Sequence, residues 1–281
     1  MNIKRFYRSS ANALIDVIDH DGIEHAGYLS FIFILAIFPF LVLLISIAGF
    51  IGELAIGERF IEFLFSNLPI HVLNFLKPRI DEIIFGPPES IVSIAILGAI
   101  WTASSSFEGL RTILNRAYRV NSPPAYILRR MLSIFQFLCF VVILMFIIFC
   151  LIFLPPLIND ISKFLDLNIN ISPSVYYLRN LAIFLVLLIF IGSIYYFLPN
   201  IKQRLTTVLP GACITSLLWS ISGSLLSAYI SNFRQVNLIY GSLEGIIVTL
   251  IFFYINNIIL IFGAEFNYHF ANFKNNQLSK N

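Results

Sequence analysis

Charge is what this sequence has least of. Lys, Arg, Asp and Glu make up 12% of its 281 residues, roughly half the share of a soluble globular domain. A chain so poor in charge cannot cover a surface that faces water on every side, which excludes a soluble fold. Cysteine is scarce as well. Cys139, Cys150 and Cys213 all lie in apolar runs, with no CxxC spacing and no nearby histidine. They read as small buried hydrophobes rather than disulfide partners or zinc ligands. The four histidines, His20, His25, His71 and His269, form no HExxH, and GxSxG, Walker and GxGxxG motifs are absent. An enzyme, a metal centre and a cofactor are therefore not expected. Asp19, His20, Asp21, Glu24 and His25 read as the end of an N-terminal helix and its loop rather than a metal site. The net charge of +3 argues against a nucleic-acid partner. There is no low-complexity linker and no clear internal repeat.

What the sequence does contain is long apolar runs. A hydrocarbon core about 30 Å thick needs about 20 apolar residues as a helix. Six charge-free windows approach or exceed that size: 26–52, 90–107, 131–159, 180–201, 205–233 and 245–264. Helix is the state expected of each, because lipid offers no partner to a strand edge. The first window begins too late and runs too long for a cleavable signal, so it reads as a signal-anchor span. Of the 18 Lys and Arg residues, twelve fall in the N-terminal tail, the second and fourth connections and the C-terminal tail. The basic excess on that side predicts cytoplasmic termini. The fold class expected is thus all-α: one polytopic membrane domain over 1–281 with about six spans. Amphipathic helices are added at Phe6–Ile18 and in the first outer loop, residues 53–89.

Polar residues within this apolar background are candidates for function. Glu108, Arg111, Asn115 and Arg119 recur at helical spacing after the second span, which is short enough for its helix to continue past it. Glu108 and Arg111 can pair at i,i+3, and the arginines suit planar recognition of an anion. Glu244 and Glu265 bracket the sixth span, with Tyr240 just ahead of it. A substrate path is expected to use Glu108, Arg111, Asn115, Tyr240, Glu244 and Glu265. The fifth span carries a row of small residues, Ala212, Ser216, Ser220, Gly223, Ser224, Ser227 and Ser231, of the kind that lets membrane helices approach closely.

Four blocks in order also resemble a known family. They are AGYLSFIFILAIFPFLVLLISIAG at 26–49, WTASSSFEGLRTILNRAYRV at 101–120, FLPNIKQRLTTVLPGACITSLLW at 197–219, and YISNFRQVNLIYGSLEGIIVTLIFFYINNIILIFGAEFNY at 229–268. Together they look like the YihY/BrkB family of bacterial inner-membrane proteins. The resemblance implies six helical spans with cytoplasmic ends and an envelope-associated role, with some members looking like transporters of envelope lipids. Membrane lipids, a second copy of the chain or envelope proteins are the partners it implies. An old ribonuclease BN label attached to some members finds no support in these residues. The chain departs from the family where Ala36 replaces a usual serine and where Asn256 and Asn257 replace mostly apolar residues. The expected function is an inner-membrane transporter or lipid-handling protein for an anionic envelope component. The alternative is a scaffold for envelope integrity, and a membrane ribonuclease comes last.

Overall fold

The computed structural model describes residues 3–51, 90–121, 124–164, 173–232 and 244–278. The predicted amphipathic insertion at 53–89 and Tyr240 lie outside the described residues, as do the side chains of Ser231 and Glu244. Among the described residues there are seven α-helices and no strands: α1 (Ile3–Asp19), α2 (Gly22–Ile51), α3 (Ser90–Ala117), α4 (Tyr126–Phe164), α5 (Pro173–Phe197), α6 (Leu205–Asn232) and α7 (Glu244–Leu278). Four stretches are long and apolar enough to cross a membrane: Gly22–Leu41, Tyr126–Phe146, Leu205–Tyr229 and Gly245–Asn272. They overlap the first, third, fifth and sixth expected runs. A shorter apolar stretch, Phe184–Phe197, lies in the fourth. Large apolar side chains such as Phe31, Leu35, Phe135, Val142, Phe146, Ile189 and Leu225 point outward, a disposition that water opposes and lipid favours.

The chain divides into two compact units, Met1–Ile34 with Glu108–Tyr126 and Pro173–Asn281, and Leu35–Phe107 with Ile127–Ser172. In the second unit, Phe107 packs against Phe137 and Phe140 with ring centroids 5.8 and 5.6 Å apart, in the offset and edge-on geometries aromatic rings favour. There too Arg130 is almost fully buried, donating to the Trp101 carbonyl with its guanidinium over the indole.

In the first unit α7 packs against both α1 and α6, and α6 packs against α5. The α6–α7 crossing is close because both helices present glycine. A Cβ on Gly263 would overlap Thr215 Oγ1 and the Tyr195 hydroxyl, and one on Gly211 would overlap the Gly263 carbonyl. Polar bonds then tie the helices together. The buried Tyr195 hydroxyl donates to the Leu260 carbonyl at 2.7 Å and lies 2.8 Å from Thr215 Oγ1. Gly211 N–H donates to Asn267 Oδ1 at 2.7 Å, and Trp219 Nε1 donates to the Asn256 carbonyl at 2.9 Å. The adjacent asparagines of α7, Asn256 and Asn257, are both buried and both bonded. Asn256 donates to Ser222 Oγ and Asn257 to Ser30 Oγ, each at 3.1 Å.

The small-residue row of α6 divides along its length. Ala212 and Ser216 are fully buried, whereas Ser220, Ser224 and Ser227 are exposed. The cause is helical geometry. A step of four residues overshoots a turn of 3.6, so a row of such steps rotates by about 40° per step away from any fixed face. The buried face instead follows Val208, Gly211, Ala212, Thr215, Ser216 and Ser222. Ser220 and Ser224 turn toward an open groove of about 420 Å³ that Phe184, Leu217, Ile221 and Leu225 also line.

Arg111 and Asn115 hold the end of α5. Arg111 is 1% exposed; it donates to the Leu198 carbonyl at 3.2 Å and lies 3.8 Å from Glu108. Asn115 is clasped to Asn200, accepting from its backbone N–H at 2.7 Å and donating to its side-chain oxygen at 2.9 Å. A cation at a helix C-terminus is favourable because the last carbonyls lack intrahelical partners. Asn115→Ala leaves the Asn200 N–H and side chain without these partners. It is expected to lower stability by about 1–3 kcal/mol, read as a lower unfolding midpoint of the protein in detergent.

Candidate functional site: an ion cluster around Glu265 of α7

The ends of α1 and α3 meet around Glu265 of α7. Glu265 lies within the apolar stretch Gly245–Asn272, twenty residues and about 30 Å along the helix from Gly245. It is 1% exposed. Arg119 reaches it with both terminal nitrogens, Nη1 donating to Oε1 at 3.0 Å and Nη2 lying 2.9 Å from Oε2. The same Nη2 lies 2.7 Å from Asp16 Oδ2 on α1. His269, one turn beyond Glu265 on α7, puts Nε2 at 2.5 Å from that Asp16 oxygen. His20 Nδ1 lies 3.5 Å from Glu265 Oε1 and makes no hydrogen bond. The Arg119 guanidinium also lies 4.6 Å from the ring centre of Tyr268. A forked guanidinium bridging two carboxylates is a strong form of ion pairing.

The backbone that delivers Arg119 is unusual. Helix α3 ends with Val120 N–H bonded to the Asn115 carbonyl and Arg119 N–H to the Arg116 carbonyl, with Arg119 at φ 57°. This is a Schellman ending, whose left-handed position glycine normally fills. A side chain there costs about 1–2 kcal/mol, and the contacts of Arg119 with Glu265 and Asp16 offset that cost. Burial draws the guanidinium pKa down, but the hydrogen bond and charge of Glu265, with the charge of Asp16, outweigh it, so the net direction is up. Beside it the Tyr118 phenol is raised well above its ordinary value, chiefly by burial, with the Asn267 hydrogen bond opposing. The turn between α1 and α2 is fastened nearby, where exposed Arg116 lies 2.7 Å from both Asp21 Oδ2 and His25 Nε2.

Of the described residues expected to form a path, Glu108, Arg111, Asn115 and Glu265, only Glu265 enters this cluster. Glu108, Arg111 and Asn115 lie at the end of α5 instead. Asp16, His20 and His269 were not singled out together from the sequence, although a signal existed. Asp16 and His20 continue the face of α1 that buries Ser9, Ala13 and Val17, and His269 repeats the face of Glu265 one turn later. Asp16, Glu265 and His269 each offer a ligand atom within 4.8 Å of the others, a metal-compatible grouping that corrects the expectation of no metal-compatible site and that no sequence motif announces.

An all-helical chain with several membrane-length apolar helices is a multi-pass membrane protein. The virulence factor BrkB family model matches residues 14–281, and the chain belongs to that family. Similar proteins include the putative ribonuclease-like protein YfkH of Bacillus subtilis, 28% identical over 256 residues that cover 88% of this chain and 90% of that one. A UPF0761 membrane protein of Alteromonas mediterranea is 24% identical, covering 94% of this chain and 90% of its own length. Another, VV0203 of Vibrio vulnificus, is 27% identical, covering 90% and 79%. No solved structure matches the chain.

Proposed function

We propose that this is a six-span protein of the bacterial inner membrane, with both termini cytoplasmic, that moves or handles an anionic envelope component. In this reading the ion cluster closes the cytoplasmic end of the first unit. The reading rests on one observation. A charge-poor chain places two carboxylates, an arginine and two histidines together against a membrane-length apolar helix that carries Glu265 and His269, and ionisable groups in such segments are costly and mostly serve function. The cavity against the cluster, about 10 Å³, suits a closed state. Reconstitution into liposomes containing a fluorescent anionic phospholipid tests the proposal. Protein-dependent access of the inner-leaflet label to an external quencher is expected. Folded protein that moves none of several anionic lipids would overturn it.

A scaffold without cargo is the second reading, and the burial of Arg111 and Asn115 in a helix clamp favours it. The Bacillus subtilis relative carries a ribonuclease-like name. In both readings this chain is not a catalyst, and purified protein is expected to leave labelled RNA intact, with or without Mn²⁺.

A further inference from the structure

We propose that Asp16, Glu265 and His269 form a binding site for a divalent first-row ion of the Mn²⁺, Co²⁺ or Zn²⁺ class, which the Arg119 guanidinium occupies as a tethered competitor. The donor set is one imidazole and two carboxylates, a mixture that suits these borderline ions better than Mg²⁺ or Cu⁺. The geometry is close to what coordination needs. Ligand atoms about 2.0–2.2 Å from a common ion lie at most about 4.4 Å apart, and the three here already fall within 4.8 Å. Glu265 and His269 stand at i and i+4 on α7, the spacing by which one helix face presents two ligands to one metal. Asp16 closes the site from α1.

Two further observations point to a ligand. His20, a third exposed at its side chain, turns a solvent-shielded Nδ1 toward Glu265, and that atom makes no hydrogen bond. It opens on the cavity of about 10 Å³, which Asp16, Glu265, His25 and Arg116 also line. A space of that size holds about one water, so a bound ion could keep a water or take His20 as its fourth ligand. Arg119 Nη2, 2.7 Å from Asp16 Oδ2 and 2.9 Å from Glu265 Oε2, stands between the two carboxylates. A guanidinium brings one positive charge to two carboxylates, whereas a divalent ion brings two. Ion binding therefore releases Arg119 while keeping α1 docked on α7.

The site is tested with the full chain in detergent micelles, independently of any transport. Co²⁺ is titrated while its visible absorption is followed, and Mn²⁺ by loss of its free-ion resonance. One ion per chain is expected for the unsubstituted protein. His269→Ala is expected to weaken binding at least about tenfold, the lower end of what even an outer-shell partner contributes. Arg119→Gln is expected to tighten it, since the competing charge is gone. Binding that His269→Ala leaves unchanged, or no binding by folded protein, overturns the proposal. The His269→Ala comparison retains its force even where Arg119→Gln does not fold.

Discussion

Replacing Arg119 with alanine is expected to destabilise the protein by about 3–5 kcal/mol, because it strands the buried Glu265 carboxylate, and with it the part-buried Asp16, without their cation. Glu265 would keep only the imidazole of His20, 3.5 Å away, and Asp16 only His269. Two companion substitutions separate the causes. Arg119→Lys keeps a charge but loses the fork that reaches both carboxylates, and should fall between wild type and alanine. Arg119→Gly loses the same ion pairs as alanine but relieves the left-handed backbone, so it should be about 1 kcal/mol less damaging than alanine. Unfolding midpoints in a detergent titration rank the three. Equal values for alanine and glycine would show that the left-handed conformation at Arg119 stores no strain.

Gly263→Val is the second large effect. Its branched side chain would overlap Thr215 Oγ1 and the Tyr195 hydroxyl, so α6 and α7 must separate or the buried bonds must break. Overpacking alone costs about 1–3 kcal/mol, and losing the Tyr195 bond to the Leu260 carbonyl adds about 1 kcal/mol. The expected result is a sharp drop in folded, monodisperse protein after extraction. Gly223→Ala is the control on the same crossing helix. No atom lies within 4 Å of a Cβ built there, so alanine should match or slightly exceed wild type.

Both predictions rest on features that differ in how far the sequence alone discloses them. The apolar runs were legible because lipid imposes a length and a composition on every span, and α2, α4, α6 and α7 follow them. The continuation of α3 to Ala117 was legible from the spacing of Glu108, Arg111 and Asn115. Which partners those residues take was not, because Arg111 and Asn115 meet Leu198 and Asn200 through a turn more than eighty residues away. The α6 row misled for a simpler reason: a run of i+4 steps looks like one face on paper but drifts round the helix. Arg119 stood in plain view on its stripe, yet only its positive φ reveals why it leaves that face. Asp16 and His269 carry no motif at all, and what unites them is the docking of α1 on α7.

That docking also sets an order of events in the making of the protein. Arg119 is synthesised 103 residues after Asp16, and His269 253 residues after it. At a ribosomal pace of about 5–20 residues per second, α1 waits roughly 12–50 seconds for His269. Through that interval Leu14, Ile15 and Ile18, exposed even in the finished fold, offer the nascent helix an apolar side with which to rest on the bilayer surface. The cluster thus fastens α1 to a helix made some 253 residues after it, and it forms only once translation has passed His269.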